Sequence, residues 1–265
     1  MRVIENLIEK NNQPTSNSAR LPADSEDFSY SQTRIQITKG KHLQENRLIS
    51  GFKPGEWVES YKMLRTRCLQ VMDVMNWNTL AITSPGNDSG NSLTAANLAI
   101  SIAMELNRTV LLVDANFHNP SICKLFGIEA ETGLGDYLLN DMPLNELLIN
   151  PDLERLVILP AGKEILNSAE MLASPKMIRL VNELKSRYQS RIIIFDLPPL
   201  LGQADTLGFS PYVDCVLLVV DEGHTKTEEL KHASSLLKEI NVLGTVLNKA
   251  SDNKIKYLAG KLAAS

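Results

Sequence analysis

Leu80-Ala81-Ile82-Thr83-Ser84-Pro85-Gly86-Asn87-Asp88-Ser89-Gly90-Asn91-Ser92 runs from an apolar strand, through a turn of glycine, serine and asparagine, into the start of a helix. The same strand-to-helix passage recurs beyond this stretch. Strand-like runs rich in Val, Ile and Leu fall at Thr79–Thr83, Val110–Val113, Leu156–Leu159, Ile192–Phe195, Val213–Val220 and Gly244–Leu247. Helical segments are expected near 92–106, 120–126, 134–140, 168–187, 203–209 and 225–240. The strands are continuously apolar rather than alternating, which means that both faces are covered. That pattern belongs to a mostly parallel, doubly wound sheet in an α/β fold.

In such a sheet the ligand lies at the carboxyl ends of the strands. Ser84–Ser92, Asp114, Asp196 and Asn248 all fall there. The segment 85–92 occupies the place of a phosphate-binding loop, G-x-x-x-x-G-K-[ST]. In that loop backbone N–H groups cradle phosphates, the lysine adds a cation and the hydroxyl reaches Mg²⁺. Gly90 and Ser92 fit the pattern, but the first glycine is Pro85, Gly86 sits one place late, and Asn91 replaces the lysine. With Asp88, the segment carries a formal charge of −1 and no cation. Loss of a charged hydrogen bond to phosphate removes roughly 1.5–3 kcal/mol of binding. Loss of one stabiliser of transition-state charge costs roughly 10²–10³ in rate. The same residues also read as a plain polar turn with Ser92 as helix cap. Arg191–Asp196, followed by Leu197-Pro198-Pro199, is an apolar strand ending in the carboxylate of a Walker B site, or else in a capping aspartate before a Pro-Pro turn. The fold expected is a three-layer, P-loop NTPase-like α/β domain.

At 265 residues, 43% hydrophobic and with a formal net charge of −4, the chain can bury one substantial core. It has no bulk attraction for nucleic acid or anionic lipid. Cys68, Cys123 and Cys215 lack metal-ligand spacing and read as structural thiols in a reducing, cytoplasmic setting. No apolar run is long enough to span a membrane, so direct insertion is not expected. Val3, Ile4, Leu7 and Ile8 give residues 1–10 one apolar helical face, and residues 11–45 read as a mostly disordered polar linker. A helix follows from Gly55 to about Met75. The division expected is 1–50 arm, 51–250 α/β domain and 251–265 tail.

Glu59-x-x-Lys62-x-x-Arg65, Thr83-Ser84-Pro85…Gly90-x-Ser92-Leu93-Thr94, Val110-Leu-Leu-Val-Asp114-Ala-Asn116-Phe-His118 and Phe195-Asp196-Leu-Pro198-Pro199 occur in an order that resembles the bacterial tyrosine autokinases of capsule and exopolysaccharide clusters. The order is more distantly similar to the Min and Par partition ATPases. The resemblance spans residues 55–250. It implies ATP/ADP and Mg²⁺ as cofactors, with Gly86, Gly90, Asn91, Ser92, Leu93 and Asn248 around the nucleotide. It also implies Ser92, Asp114 and Asp196 around the metal, Asp114 and Asp196 as catalytic carboxylates, and Glu59, Lys62 and Arg65 at a homo-oligomer interface. The implied partner is a membrane chain-length determinant, or polysaccharide co-polymerase, that would bring a cytoplasmic protein to the membrane. The departures from the family pattern converge on the ligand site: Asn91 replaces the catalytic lysine, and Asn116 and His118 stand in the second motif, Asp-x-Asp-x-Arg. A neutral asparagine neither takes a proton usefully nor balances a dication. Lys62 replaces a guanidinium in the interface motif, and Tyr257 is the tail's single tyrosine. His118 reads as a substitute phosphate contact or a plain loop histidine. Asp205 is expected to cap a helix or support the metal, Asn248 to contact adenine, and His224 and His232 to lie on a solvated helical face. The function implied is a kinase-like ATPase homologue with weak or absent nucleotide chemistry that regulates polysaccharide chain length or export. An active autokinase or a partition-type ATPase is the alternative.

Overall fold

A computed structural model of the protein describes residues 33–50, 56–187 and 190–250. The apolar segment at residues 1–10 and Tyr257 lie outside them. The chain runs β1 (Arg34–Ile35), α1 (Gly40–Glu45), α2 (Glu56–Met75), β2 (Thr79–Thr83), α3 (Asn91–Ala103), β3 (Thr109–Asp114), α4 (Ile122–Phe126), α5 (Leu134–Asn140), α6 (Leu144–Leu147), β4 (Ile149–Asn150) and β5 (Leu156–Leu159). It continues through α7 (Ser168–Leu172), α8 (Pro175–Arg187), β6 (Arg191–Asp196), α9 (Asp205–Phe209), β7 (Cys215–Asp221), α10 (Thr227–Leu236) and β8 (Val242–Asn248).

The strands form one sheet in the order β1-β4-β5-β3-β6-β2-β7-β8. Pairing is parallel except between β4 and β5. The two-residue alternation of a strand splits its side chains between two cores. Leu80, Ile82, Val110, Leu112, Ile192 and Ile194 enter one, with residues of α2 and α3. Ala81, Leu111, Val113, Ile193 and Phe195 enter the other, with α5, α8 and α9. The expected doubly wound α/β architecture is therefore observed, and each apolar run predicted as a strand is one. Helix α3 is buried almost all round because it lies between the sheet and α2.

Two sequence expectations are corrected. The segment 168–187 is two helices, because Pro175 lacks an N–H and cannot continue α7. Pro175 instead opens α8, with the Ser174 hydroxyl accepting the Met177 N–H at 3.2 Å as cap. The polar stretch 33–45, expected as linker, is built into the fold. Gln36 imitates a strand, donating to the Glu129 carbonyl at 2.7 Å and accepting the Glu129 N–H at 3.0 Å. Leu43, Leu48 and Ile49 are buried in the core. Asn97 of α3 accepts the Ile49 N–H at 2.9 Å and donates to the Arg47 carbonyl at 3.0 Å. Replacing Asn97 with Leu strands both backbone groups, so we expect a loss of roughly 2–4 kcal/mol. Denaturant unfolding checks the magnitude, and limited proteolysis should show earlier cleavage within 33–50.

Candidate functional site

The site is assembled where β2, β3 and β6 end together. After β2 the chain turns through Ser84–Gly90, and hydroxyls of Ser84 and Ser89 both donate to the Gly86 carbonyl, at 2.8 and 3.1 Å. Asp88 adopts a φ of 57° and Gly90 one of 87°, the left-handed region that favours glycine at the second position. Gly90, not Ser92, is the N-cap of α3, and the helix starts at Asn91. Beyond β6 the chain runs alongside this turn. Leu197, Leu200 and Leu201 donate their N–H groups to the carbonyls of Ile82, Ser84 and Pro85, at 3.0, 2.8 and 3.1 Å. Thr83 and Thr206 hydroxyls both hold the Pro198 carbonyl.

Asn91, at the lysine position, points inward. Its Nδ2 donates to Asp196 Oδ1 at 3.2 Å and to the Leu197 carbonyl at 2.8 Å, so the side chain ties the loop to the end of β6. Asp196 pairs in register with Asp114 across β3 and β6, and both carboxyls are buried. Burial pushes Asp114 up to about 6, against hydrogen bonds from the Ile122, Asn116 and Ser121 N–H groups. Asp196 is driven well above the ordinary aspartate range by burial first and by the Asp114 charge second, with Ser92 and Asn91 opposing. Its Oδ2 has no well-aligned hydrogen-bond donor among the described residues. Asp114, in contrast, is occupied: Oδ1 accepts from Asn116 N, and Oδ2 accepts from Ser121 N and Ile122 N, which seats the start of α4.

Above these groups lies a cavity of about 540 Å³, walled in part by Gly90, Asn91, Ser92, Leu93, Asn116 and His118. The sequence thus brought most of its candidates to one place, but not all. Gly86 does not line the cavity, and a Cβ there would meet nothing. Asn248 holds the loop from outside, donating to the Ser89 carbonyl at 2.9 Å. Beside it Lys249, which sequence reasoning missed, bridges the Asp88 carbonyl at 2.7 Å and Asp221 Oδ2 at 2.8 Å. His118 Nε2 meets Ser168 Oγ at 2.8 Å and the buried Asp205 Oδ1 at 3.3 Å. Asp205 is the first residue of α9 rather than its cap. His224 lies in the turn after β7, 3.4 Å from Asp221, not on a helix, while His232 is exposed on α10. Cys68 and Cys215 are buried and Cys123 is half-buried, all as free thiols.

On α2, Glu59 and Lys62 form an exposed ion pair with each other at 2.6 Å. Arg65 is turned to α3, donating to the Ser101 carbonyl at 2.9 Å and pairing with Glu105 at 3.0 Å.

The donor set fits half of a Mg²⁺-nucleotide site. Asp196, with its unpartnered Oδ2, and the adjoining Ser92 hydroxyl would suit a hydrated dication, which prefers one or two carboxylates and keeps its waters. For the polyphosphate, the first turn of α3 offers N–H groups, but no lysine or arginine lines the cavity among the described residues.

The AAA domain family matches residues 79–252, well over half the chain, and the chain belongs to that family of P-loop proteins, within its branch of bacterial tyrosine-protein kinases. It is 29% identical over 216 residues to the tyrosine-protein kinase YwqD of Bacillus subtilis, covering 81% of this chain and 90% of that one. It is 31% identical to the putative tyrosine-protein kinase CapB of Staphylococcus aureus, covering 66% and 77%. Against the succinoglycan biosynthesis transport protein ExoP of Rhizobium meliloti, identity is 29% over 80% of this chain, which spans only 27% of that longer protein. Among solved structures it is similar to the chimerical protein CapA2B2, with a TM-score of 0.72 at 26% identity, covering 82% and 93% of the two chains.

The raised carboxyls predict the pH response of the ligand-free protein. Above the ordinary value of 3.8 the unfolded chain is ionised, while the folded chain still holds protons at Asp114 and Asp196. Folding stability therefore falls as pH rises above the ordinary value and through the raised ones, that of Asp114 lying at about 6. The loss is on the order of a few kcal/mol. Asp196→Asn keeps the Asn91 contact without the charge, so it should raise the melting temperature at pH 8 and flatten the profile between pH 5 and 8. Thermal unfolding across that range tests this.

Proposed function

We propose that the protein is a tyrosine-kinase-like P-loop protein with impaired nucleotide chemistry, and that it regulates exopolysaccharide or capsule biosynthesis, in chain length or export, by docking on a membrane chain-length determinant protein. The observation that carries the reading is Asn91: the residue in the lysine place brings no charge to the cavity wall and spends its amide hydrogens on Asp196 and the Leu197 carbonyl. The relatives named as tyrosine-protein kinases and as a succinoglycan transport protein support the pathway. One observation favours an active autokinase instead, namely the Asp196 Oδ2 beside Ser92, which lacks a well-aligned donor among the described residues. Titration with Mg-ATP separates the two. Weak binding and hydrolysis at background are expected; low-micromolar affinity, or turnover abolished by Asp196→Ala, would favour the autokinase.

The double change Asn91→Lys with Asp88→Gly should raise nucleotide affinity roughly ten- to hundred-fold, the return on one charged hydrogen bond to phosphate. Glycine also relaxes the φ of 57° at position 88, and the Lys249 contact, made to the backbone carbonyl, survives the change. Turnover should recover less than affinity, because Asn116 supplies no carboxylate. Unchanged affinity in a calorimetric titration would count against the loop as the determinant.

No helix among the described residues is long and apolar enough to cross a membrane. On this reading, recruitment falls to a partner that engages residues 1–10 or the surface near the loops. Deleting residues 1–10 should leave the α/β core folded by circular dichroism and weaken co-purification with the membrane determinant. Binding of the intact protein to protein-free vesicles would contradict partner dependence.

A further inference from the structure

Helix α2 carries an apolar face that the fold does not use. Met63, Arg67, Gln70 and Val74 follow one another at spacings of four, three and four residues, so they make one line along the helix. The line looks away from the core: Met63 is 55% exposed, Val74 is 85% exposed, and Val71 beside them is 38% exposed. A shallow groove of about 310 Å³ opens here, and its two formal charges, on Lys62 and Arg67, are both positive. The exposed Leu106, Leu139 and Leu166 lie in three different segments and build no such line.

The polar groups of α2 that could recruit a second copy are engaged within the chain. Glu59 pairs with Lys62, and Arg65 with Glu105 and the Ser101 carbonyl. A second copy presenting the same face would also set Arg67 and Lys62 against their own kind. Residues 1–10 fit better. Their apolar face is Val3, Ile4, Leu7 and Ile8, and a helix of that length is about 15 Å long, against about 16 Å from Met63 to Val74. Glu5 stands three residues before Ile8, at the edge of that face, and Arg67 makes no ion pair among the described residues. The tether also matches the distance. β1 and β2 are five steps apart in the sheet, about 24 Å, and α2 lies outside α3. Residues 11–32 lead to β1, and a coil of 22 residues has an r.m.s. span of roughly 23–28 Å. Effective concentration is highest when the reach of a tether equals the span it must cover.

We propose that residues 1–10 dock as a helix on the outer face of α2 in the same chain, with their apolar side on Met63, Val71 and Val74 and Glu5 beside Arg67. A helix this short is marginal alone in water, so it forms on the surface that covers its apolar side. The inference concerns α2 and is independent of the nucleotide chemistry. One consequence rests on the proposed recruitment: a membrane partner that engages residues 1–10 would compete with α2 for the same four apolar side chains.

The full chain should be made with the photo-crosslinker p-benzoylphenylalanine in place of Met63 and, separately, of Val74. Both side chains are exposed, so the fold should be kept, and circular dichroism checks that it is. Isotopically light and heavy copies are mixed before irradiation, and the linked peptides are mapped by mass spectrometry. Links from both positions to residues 1–10 are expected, joining light to light and heavy to heavy. Leu7→Asp should lower their yield roughly ten-fold or more, the loss of one covered apolar side chain. Links between light and heavy copies would overturn the proposal in favour of a second chain as the occupant. Links to other parts of the chain only, or none at either position, would overturn it outright. Links to residues 1–10 that Leu7→Asp leaves unchanged would also overturn it, since they would report the tether alone and no docked face.

Discussion

Two buried carboxyls, Asp114 and Asp196, end neighbouring strands in register, and everything around them serves to make that juxtaposition tolerable. Like charges in a low-dielectric interior repel strongly, so the pair holds a proton, accepts backbone N–H groups or takes a cation. The first two devices are visible. Asp114 accepts three backbone N–H groups, and both acids are pushed upward. Asn91 provides a third device, because its amide donates to Asp196 without bringing charge. A lysine in that place, free to reach phosphates, would lend the pair a positive field but would leave the Leu197 carbonyl without this donor. The substitution therefore changes two things at once, removing a cation from the cavity and adding a strut beneath it.

The same logic explains how the loop keeps its form. In a working phosphate site the ligand itself fills the ring of N–H groups and holds the turn. In this chain protein groups brace the turn as well: Ser84 and Ser89 on the Gly86 carbonyl, Asn248 on the Ser89 carbonyl, Lys249 on the Asp88 carbonyl and Asn91 on the Leu197 carbonyl. Asn248 and Lys249 leave the end of β8, so the last strand of the sheet buttresses the loop that follows β2. A Cβ at Gly90 would lie 2.3 Å from Asn248 Nδ2, so a side chain there would push Asn248 off the Ser89 carbonyl, in addition to the strain of the left-handed φ.

Much of this was legible in the sequence, for identifiable reasons. Central strands of a parallel sheet are apolar on both faces, so Thr79–Thr83 and Ile192–Phe195 declared themselves without ambiguity, and the residues that follow them had to meet at one edge. Short elements did not. β1 and β4 are two residues each, held by neighbours rather than by any periodicity of their own. The segment 33–50 looked like linker because its composition is polar, although Leu43, Leu48 and Ile49 carried the signal of burial. Ser174-Pro175 was a readable helix break that apolar periodicity on both sides obscured. Side-chain direction was the least legible of all: nothing local to Asn91 says that it turns inward, and nothing near His118 says that it meets Ser168 and Asp205.

On the proposed reading, retention of the scaffold with loss of the cation is a physical consequence of how labour is divided in this fold. The cores on the two faces of the sheet are filled by strands whose packing does not depend on the loops, so the charges at the strand ends can change while the layers stay intact. Asp114 is the exception. It belongs to the site by position and to the fold by its hydrogen bonds, since losing it would strand the N–H groups of Ser121 and Ile122 at the start of α4. A carboxylate that caps a helix persists whether or not a metal ever meets it. Its presence is therefore weak evidence for catalysis, whereas Asp196, whose Oδ2 serves no such structural duty, is the acid whose retention speaks for a ligand.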